Sequence, residues 1–382
     1  MAYRRASVFS SYLSRLLILF TAALAALMAW NLVVDPYGVW RVVEVAGFND
    51  AKSERRDQNY LFKAVDLARP QSGVLLLGSS RVAFGLSPEV AEALEGGGSR
   101  AYNAALTGGH MAALEAYVDH ALGNGAPVHT VVWGVDFFAF ERDMSLPPVF
   151  KRSRLNGIGM DLDDLLFTLT SVDTAMAGYR TVVSNRRDSD YEPYFDNGQL
   201  TAMDMAQEVA RVGMVDRFRR SLDLYGNGRF RRYESSPGHW ETFDDILETL
   251  RGHGVEVLLF VPPTHVAHLE ALRQRGLWDD WAAFKQALAR RGGYWDFSGV
   301  NNVTAEPIQE EMAYYWDISH FRSAVGDRIL QRLLASPEAD TGFGRWVGAD
   351  NVAEHVRAQS LRLERWRRQN PEAADFVAEQ LD

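Results

Sequence analysis

Residues 74–81 read Val-Leu-Leu-Leu-Gly-Ser-Ser-Arg, a short apolar run followed at once by a glycine and two serines. Four aliphatic residues bounded by a turn are typical of a strand that is buried on both faces. Similar apolar runs end near Asn103, near Asp136 and at Val261, and helical patterns separate most of them. Strands that alternate with helices predict an α/β domain with a parallel sheet covered by helices on both faces.

The carboxyl ends of these strands are where a ligand site is expected, because open parallel sheets bind ligands at that edge. Gly78-Ser79-Ser80 follows the first strand, Gly108 the second and Asp136 the third, and Asp317-Ile318-Ser319-His320 precedes the last predicted helix. A serine hydroxyl becomes a nucleophile when a histidine takes its proton and a carboxylate orients that histidine. Asp317 and His320 are three positions apart, so at a helix entrance they share one face.

These blocks resemble those of the SGNH (GDSL-like) hydrolase superfamily, over about 65 residues after Gly73 and about 100 before Ala335. The resemblance implies a three-layer α/β/α sandwich with a parallel sheet (SGNH/flavodoxin-like). It also implies a triad in which Ser80 is the nucleophile, His320 the base and Asp317 the residue that orients the base.

The resemblance further implies an oxyanion hole built from Ser80, Gly108 and the residue of the third block. The chain departs from the family pattern there, because Asp136 stands where the family has Asn. An ionised carboxylate has no N–H to donate, so the part of Asp136 in an oxyanion hole is in doubt. We expect slower but not abolished ester hydrolysis, whether Asp136 stays protonated and donates or turns away to brace a neighbouring loop and leaves Ser80 and Gly108 as the only donors.

Residues 16–34 form a run of 19 residues without a charge. As a helix this run spans about 28 Å, close to the hydrocarbon thickness of a bilayer. Because Arg4, Arg5 and Arg15 precede it, the positive-inside rule predicts a cytoplasmic N-terminus (1–15) and a transmembrane signal anchor (16–34). A cleaved signal peptide and a buried core helix are the alternatives. The expected location is the bacterial inner membrane, single-pass, with the globular domain in the periplasm.

The composition narrows the class of protein. The chain has 382 residues, 47% of them hydrophobic, with no Cys and a formal charge of −10. It can build a packed core, whereas disulfides, Cys-ligated zinc and a thiol nucleophile are excluded, and the acidic balance argues against a nucleic-acid partner. The remaining chain is predicted to divide into a linker (35–72), a first SGNH-like part (73–140), a mostly helical insertion (141–238), a second SGNH-like part (239–335) and a C-terminal helical extension (336–382).

Further side chains are candidates for binding. Arg81 follows the nucleophile and would either contact an anionic substrate or form a surface salt bridge. His265 follows a strand end and is a candidate for lining the pocket. His265 and His268 have the spacing of a metal-binding pair, but two surface histidines are the favoured interpretation, and no metal or cofactor is expected. Six arginines of the insertion would bind acidic polysaccharide or lipid headgroups, or would form a solvated helix face, which is favoured: Arg217, Arg219, Arg220, Arg229, Arg231 and Arg232.

The leading hypothesis is a membrane-anchored SGNH-like serine esterase or O-acyltransferase that acts on cell-envelope polysaccharide or a related acyl ester. The anchor and the Gly-Ser-Ser turn resemble envelope members of the superfamily, among them the D-alanyl transfer protein and the alginate O-acetylation proteins. That resemblance implies a multi-spanning membrane O-acyltransferase as a partner. The rival hypothesis is a non-catalytic accessory protein of the same fold that binds polysaccharide or such an acyltransferase, and Asp136 is its main support.

Overall fold

A computed structural model of the protein describes residues 2–69, 72–187, 191–335 and 342–381. The chain separates into two compact units, unit 1 (Met1–Asp66 and Ser153–Pro193) and unit 2 (Leu67–Arg152 and Tyr194–Asp382). The predicted linker 35–72 therefore belongs to unit 1 as far as Asp66, and the predicted insertion 141–238 is shared between the two units. The predicted boundary between 335 and 336 borders residues 336–341, which lie outside the described part of the chain.

The described residues contain fifteen α-helices. In chain order they are α1 (Ala2–Val34), α2 (Asn59–Leu67), α3 (Ser80–Gly85), α4 (Pro88–Leu94), α5 (Met111–Gly123), α6 (Leu162–Thr170), α7 (Val172–Arg186), α8 (Met203–Val212), α9 (Met214–Asp223), α10 (Pro237–Gly252), α11 (Val266–Gln274), α12 (Trp278–Arg290), α13 (Ser323–Leu330), α14 (Val352–Gln369) and α15 (Pro371–Leu381).

Unit 2 contains a six-stranded sheet in the order β2-β1-β3-β4-β5-β6. The strands are β1 (Ser72–Leu77), β2 (Arg100–Asn103), β3 (Thr130–Gly134), β4 (Glu256–Val261), β5 (Tyr294–Asp296) and β6 (Arg345–Val347). The first five are mutually parallel, and the residues of β1 from Val74 onward and all of β3 are buried. The predicted α/β class with a mostly parallel sheet is confirmed.

Strand β6 is a correction to the predicted all-helical C-terminal extension. It pairs antiparallel with β5, so the sheet is mixed. Three residues are too few to show the alternating pattern by which a strand is read from sequence, and only the pairing with β5 makes this segment a strand.

Unit 1 contains α1, a helix whose segment Phe9–Val34 is long and apolar enough to cross a membrane and is mostly exposed. Helices of this kind occur both in membrane anchors and in signal sequences. Within unit 1, α1 packs against α6 and α7. The segment between α1 and α2 is not a simple polar linker, because the side chains of Lys52 and Arg55 are buried there.

Candidate active site

Ser80, His320 and Asp317 form a continuous chain of hydrogen bonds in unit 2. The Oγ of Ser80 lies 2.9 Å from Nε2 of His320. On the other side of the ring, Nδ1 of His320 lies 2.9 Å from Oδ2 and 3.0 Å from Oδ1 of Asp317. Because the carboxylate only accepts, Nδ1 carries the proton and Nε2 is left to accept the hydrogen of the Ser80 hydroxyl.

The turn that carries Ser80 has little freedom. Gly78 adopts a φ of +147°, and a Cβ there would lie 2.6 Å from the side chain of Val82 and 2.8 Å from the carbonyl oxygen of Gly134. Ser79 is the N-cap of α3, and its Oγ accepts a hydrogen bond from the backbone N–H of Arg81 at 3.3 Å. Ser80 is therefore the first residue of a helix that follows β1 directly, and its side chain is partly exposed.

The loop after β2 packs on this turn. The backbone N–H of Leu106 donates to the carbonyl of Gly78 at 3.0 Å. Asn103 is fully buried and its amide donates to the carbonyls of Val82 and Leu86, both at 3.0 Å, which fixes the loop to α3. Gly108 adopts a φ of +89°, and a Cβ there would meet no atom closer than 4.0 Å. The backbone of Gly108 therefore faces open space that a bound ligand can approach closely.

A pair of glycines lets the two halves of the triad meet. Ser80 begins α3, His320 precedes α13, and a Cβ on Gly326 of α13 would lie 1.7 Å from the carbonyl oxygen of Gly85 at the end of α3. A Cβ on Gly85 would in turn lie 2.0 Å from the ring of Phe321. Only glycines permit this approach, so the contact between α3 and α13 sets how near His320 comes to Ser80.

The carboxylate of Asp317 is held in its ionised form. Burial by itself would raise its pKa, but His320, Arg217 and the backbone N–H of Ser319 stabilise the negative charge, so the pKa of Asp317 lies below its usual range. The N–H groups of Ser319 and His320 both donate to Oδ1 at 2.8 Å. Asp317 is therefore an acceptor that orients the histidine throughout the neutral pH range.

Arg217 also touches Asp317, which the sequence analysis did not foresee. Its Nη2 lies 3.0 Å from Oδ2 of Asp317, and its Nε donates to the carbonyl of Trp316 at 3.0 Å. The prediction of a solvated helix face is wrong for this arginine, because Arg217 is buried, whereas Arg219 and Arg220 are exposed. The available signal was its position on α9, since Arg217 lies on the same face as the apolar residues Met214 and Phe218.

Asp136, the departure from the family pattern, forms a buried ion pair with Arg81. The guanidinium of Arg81 also donates from Nε to the Oγ of Ser319 at 2.9 Å and from Nη2 to Nε2 of His268 at 3.2 Å. Burial would lower the pKa of Arg81, but the neighbouring Asp136 raises it, so the guanidinium stays charged. Of the two carboxylate oxygens of Asp136, Oδ2 has no hydrogen-bond partner among the described residues.

This ion pair corrects the prediction of a surface salt bridge for Arg81, because both side chains are almost completely buried. The internal partners of Arg81 also direct its guanidinium away from solvent, so we do not assign it to substrate. Asp136 lies just after β3 and Arg81 follows the turn after β1, so their ion pair holds that turn against the end of β3. The hydrogen-bonded series Ser80–His320–Asp317 thus has a buried ion pair one residue beyond Ser80.

The two predicted surface histidines are both buried, so that interpretation is wrong. His265 has two internal partners: its Nε2 donates to the carbonyl of Glu306 at 2.7 Å, and its Nδ1 accepts from the N–H of Ala267 at 3.1 Å. Burial lowers the pKa of His265 to about 4 and that of His268 well below its usual value, so both rings are neutral at pH 7. His265 therefore caps α11, while His268 accepts from Arg81.

No family model matches the chain, and no curated protein does either. The functional interpretation therefore rests on the geometry of the site itself. That geometry brings together Ser80, His320 and Asp317, places Arg217 against the carboxylate of Asp317, and pairs Asp136 with Arg81 beside Ser80.

Proposed function

We propose that the protein is an SGNH-like serine esterase or O-acyltransferase that acts on an acyl ester of the cell envelope, such as an acylated polysaccharide. The observation that carries the proposal is the hydrogen-bonded series Ser80–His320–Asp317. A serine on a tight turn, a histidine and an ionised carboxylate in this order are the parts that acyl transfer requires.

In the first half-reaction, the Oγ of Ser80 attacks the carbonyl carbon of the ester while Nε2 of His320 takes the hydroxyl proton. Asp317 stabilises the imidazolium that forms. The tetrahedral intermediate carries a negative oxygen, which the backbone N–H groups of Ser80 and Gly108 are placed to stabilise in this proposal. The intermediate collapses, the C–O bond to the alcohol breaks, and His320 returns the proton to the departing alkoxide.

In the second half-reaction, the acyl group leaves Ser80 for water or for a sugar hydroxyl, with His320 again accepting and returning the proton. Asp136 is engaged with Arg81 and has no N–H of its own in the ionised form. An oxyanion hole with one donor fewer slows transfer of the acyl group to any acceptor, water or sugar alike. In our proposal the acceptor is a polysaccharide hydroxyl that binds beside the acyl-enzyme, where its high local concentration lets it compete with bulk water.

The proposal includes a location and a finer fold. In it, α1 anchors the chain in the bacterial inner membrane and the residues after α1 lie in the periplasm. In the proposed fold, helices cover both faces of the sheet of unit 2 in the three-layer arrangement of SGNH proteins. A multi-spanning membrane O-acyltransferase would supply the acyl group. The uncharged run 16–34 and the arginines before it support this location.

The test is labelling of the full-length protein with a fluorophosphonate probe, together with turnover of p-nitrophenyl acetate. We expect the probe to modify Ser80, and Ser80→Ala to abolish the labelling. We expect His320→Gln to lower the labelling rate at least about a thousand-fold, because the serine loses its base. Asp317→Asn should lower it as well, because the amide stabilises the wrong tautomer of the histidine.

Ser79→Ala is the matched control, since Ser79 is the adjacent serine. It caps α3 without touching His320, so its loss should destabilise the protein by about 1 kcal/mol and leave labelling in place. Labelling that survives in Ser80→Ala, or wild-type protein that neither reacts nor turns over ester, contradicts the proposal.

The rival function is a non-catalytic accessory protein that binds polysaccharide or a membrane acyltransferase. One observation favours it, namely the engagement of Asp136 with Arg81 where the family pattern has an oxyanion donor. A folded protein that binds polysaccharide but shows no reaction at Ser80 would support this rival.

A further inference from the structure

Helices α6 and α7 of unit 1 carry an exposed apolar surface. Leu162 and Leu166 lie four positions apart on α6, and Val172, Met176 and Tyr179 lie four and three positions apart on α7, so each set forms one face of its helix. Every one of these five side chains is more than half exposed. We call these five residues the apolar face.

The opposite, buried side of the same two helices is mostly polar or small, with Val182 of α7 as an apolar exception. It includes Asp164 and Thr168 of α6 and Thr174, Gly178 and Thr181 of α7. Asp164 forms a bidentate ion pair with Arg154 at 2.7 and 2.8 Å. A surface helix of a soluble protein shows the reverse distribution, with apolar residues inside and polar residues in water. This inverted pattern indicates that something other than water covers the apolar face.

The turn between α6 and α7 is fastened to the last turns of α1. The amide of Asn31 donates to the carbonyls of Leu169 and Ser171 at 2.9 and 3.1 Å, and the indole N–H of Trp30 donates to the carbonyl of Ala175 at 3.2 Å. Asn31 is buried although it lies in the helix that is long and apolar enough to cross a membrane. The apolar face therefore continues from the exposed apolar surface of α1.

The polar side chains at this turn also have partners within unit 1. Thr168 and Thr170 donate to carbonyls one helical turn earlier, each at 2.8 Å. Thr174 donates to the carbonyl of Phe167 at 2.8 Å, and Ser171 donates to the hydroxyl of Thr174 at 3.0 Å. Internal satisfaction of polar groups is what a segment needs where water is scarce.

Charge limits how deep this turn can lie. Asp163 and Asp173 are exposed near the apolar face, and carboxylates are excluded from the hydrocarbon core. Further along α7, Arg180 pairs with Glu54 on the side away from the turn. Along α7, the apolar Val172 and Met176 are followed by Tyr179 and then by Arg180. Apolar side chains prefer the acyl chains of a membrane, tyrosines its headgroup level and arginines the water beyond, so the order along α7 matches these layers.

We propose that the α6–α7 hairpin is a second, interfacial membrane contact, and that its apolar face lies against the lipid acyl chains just below the headgroups. The proposal rests on the proposed membrane anchoring of α1. Its occupant is lipid, because the face continues from the apolar surface of α1 and because the turn satisfies its own polar groups. The hairpin would hold unit 1 against the bilayer at two points instead of one.

The test uses single-cysteine variants, which the Cys-free chain allows without removing any native thiol. Leu166→Cys and Met176→Cys report on the apolar face, Leu19→Cys reports on the span of α1, and Asp57→Cys reports on an exposed polar site of unit 1. Each full-length variant is labelled with the fluorophore NBD and reconstituted in vesicles of phosphatidylcholine and phosphatidylglycerol, with and without acyl-brominated lipid.

We expect brominated lipid to reduce the emission at Leu19, Leu166 and Met176 at least about two-fold and to leave that at Asp57 unchanged. Quenching at Leu19 alone, with the labels at Leu166 and Met176 open to iodide in the water phase, would overturn the lipid contact while the anchor stands. A membrane protein would then be the occupant of the apolar face. Absence of quenching at Leu19 would overturn the anchor and, with it, this proposal, yet leave the chemistry of Ser80 untouched.

Discussion

Replacement of Asp136 by Asn leaves the guanidinium of Arg81 buried without its counter-ion, and replacement of Arg81 by Met leaves the carboxylate of Asp136 buried in the same way. The two side chains are only 4% and 1% exposed, so neither charge can turn to water. Breaking a buried pair from one side destabilises a protein by about 3–5 kcal/mol. The double variant removes both charges and is expected to be no less stable than the worse single variant.

The two single variants should differ in how much they lower the free energy of unfolding. After Asp136→Asn the guanidinium keeps the hydroxyl of Ser319 and Nε2 of His268 as acceptors, so we expect a loss near about 3 kcal/mol. After Arg81→Met the carboxylate loses the one partner found for it among the described residues, so we expect a loss near about 5 kcal/mol. The coupling energy from the double-mutant cycle should be at least about 3 kcal/mol.

Thermal unfolding in detergent, followed by tryptophan fluorescence, measures these losses. For a unit of this size, 3 kcal/mol corresponds to a fall in Tm of about 6–12 °C. A double variant whose Tm falls by the sum of the two single falls, within about 2 °C, would refute the ion pair as the source of the stability.

The same Asp136→Asn variant tests the oxyanion donor. The amide supplies the N–H that the family pattern has at this position, so we expect faster turnover of p-nitrophenyl acetate even as Tm falls, with a gain of up to about a hundred-fold. If both the Tm and the turnover rate of Asp136→Asn fall, the ion pair between Asp136 and Arg81 supports activity and no oxyanion donor is gained.

Three further changes test other parts of the structure. Arg217→Met should lower kcat about ten-fold or more with little change in KM, because Asp317 loses a partner that orients it, while Arg220→Met on the exposed side of the same helix should leave kcat unchanged. Gly326→Ala should push α13 from α3 and lower both Tm and the rate of probe labelling, since no room exists for a Cβ. Burial lowers the pKa of Lys63 from 10.5 to about 7, so between these pH values the folded state binds fewer protons than the unfolded state and the free energy of unfolding rises with pH. The free energy of unfolding of Lys63→Met should therefore exceed that of the wild type by up to about 4 kcal/mol at pH 7. Denaturant titrations should show this difference closing toward pH 10.

The sequence allowed the strands of the sheet and the polar residues at their ends to be predicted, because both depend on local pattern. The apolar run of β1 and the glycine and serines after it identify a strand and its turn without any tertiary information. Convergence of Ser80 with His320 was predictable because Ser80 follows β1 at the carboxyl edge of the sheet and because Asp317-Ile318-Ser319-His320 resembles the family block that precedes the last helix. The structure places Oγ of Ser80 and Nε2 of His320 2.9 Å apart.

Other features depend on tertiary contacts that leave little trace in sequence. Arg217 belongs to a run of arginines; its place on the apolar face of α9 distinguishes it from its exposed neighbours, but its contact with Asp317 depends on tertiary packing. The pairing of Asp136 with Arg81 could have been predicted from the sequence, because Arg81 follows β1, Asp136 follows β3, and these two strands are neighbours. Strand β6 and the division of residues 141–238 between two units arise from pairing and packing between segments distant in sequence.

The distance along the chain between Ser80 and His320, 240 positions, has a consequence for biogenesis. Under the proposed topology, in which the N-terminus stays in the cytoplasm and α1 anchors the chain, Ser80 would cross the membrane long before His320. Until His320 arrives and α13 docks on α3, the serine has no base and is an ordinary, unreactive alcohol. Under the proposed activity, a partly exported polypeptide would therefore not react with esters until its fold is complete.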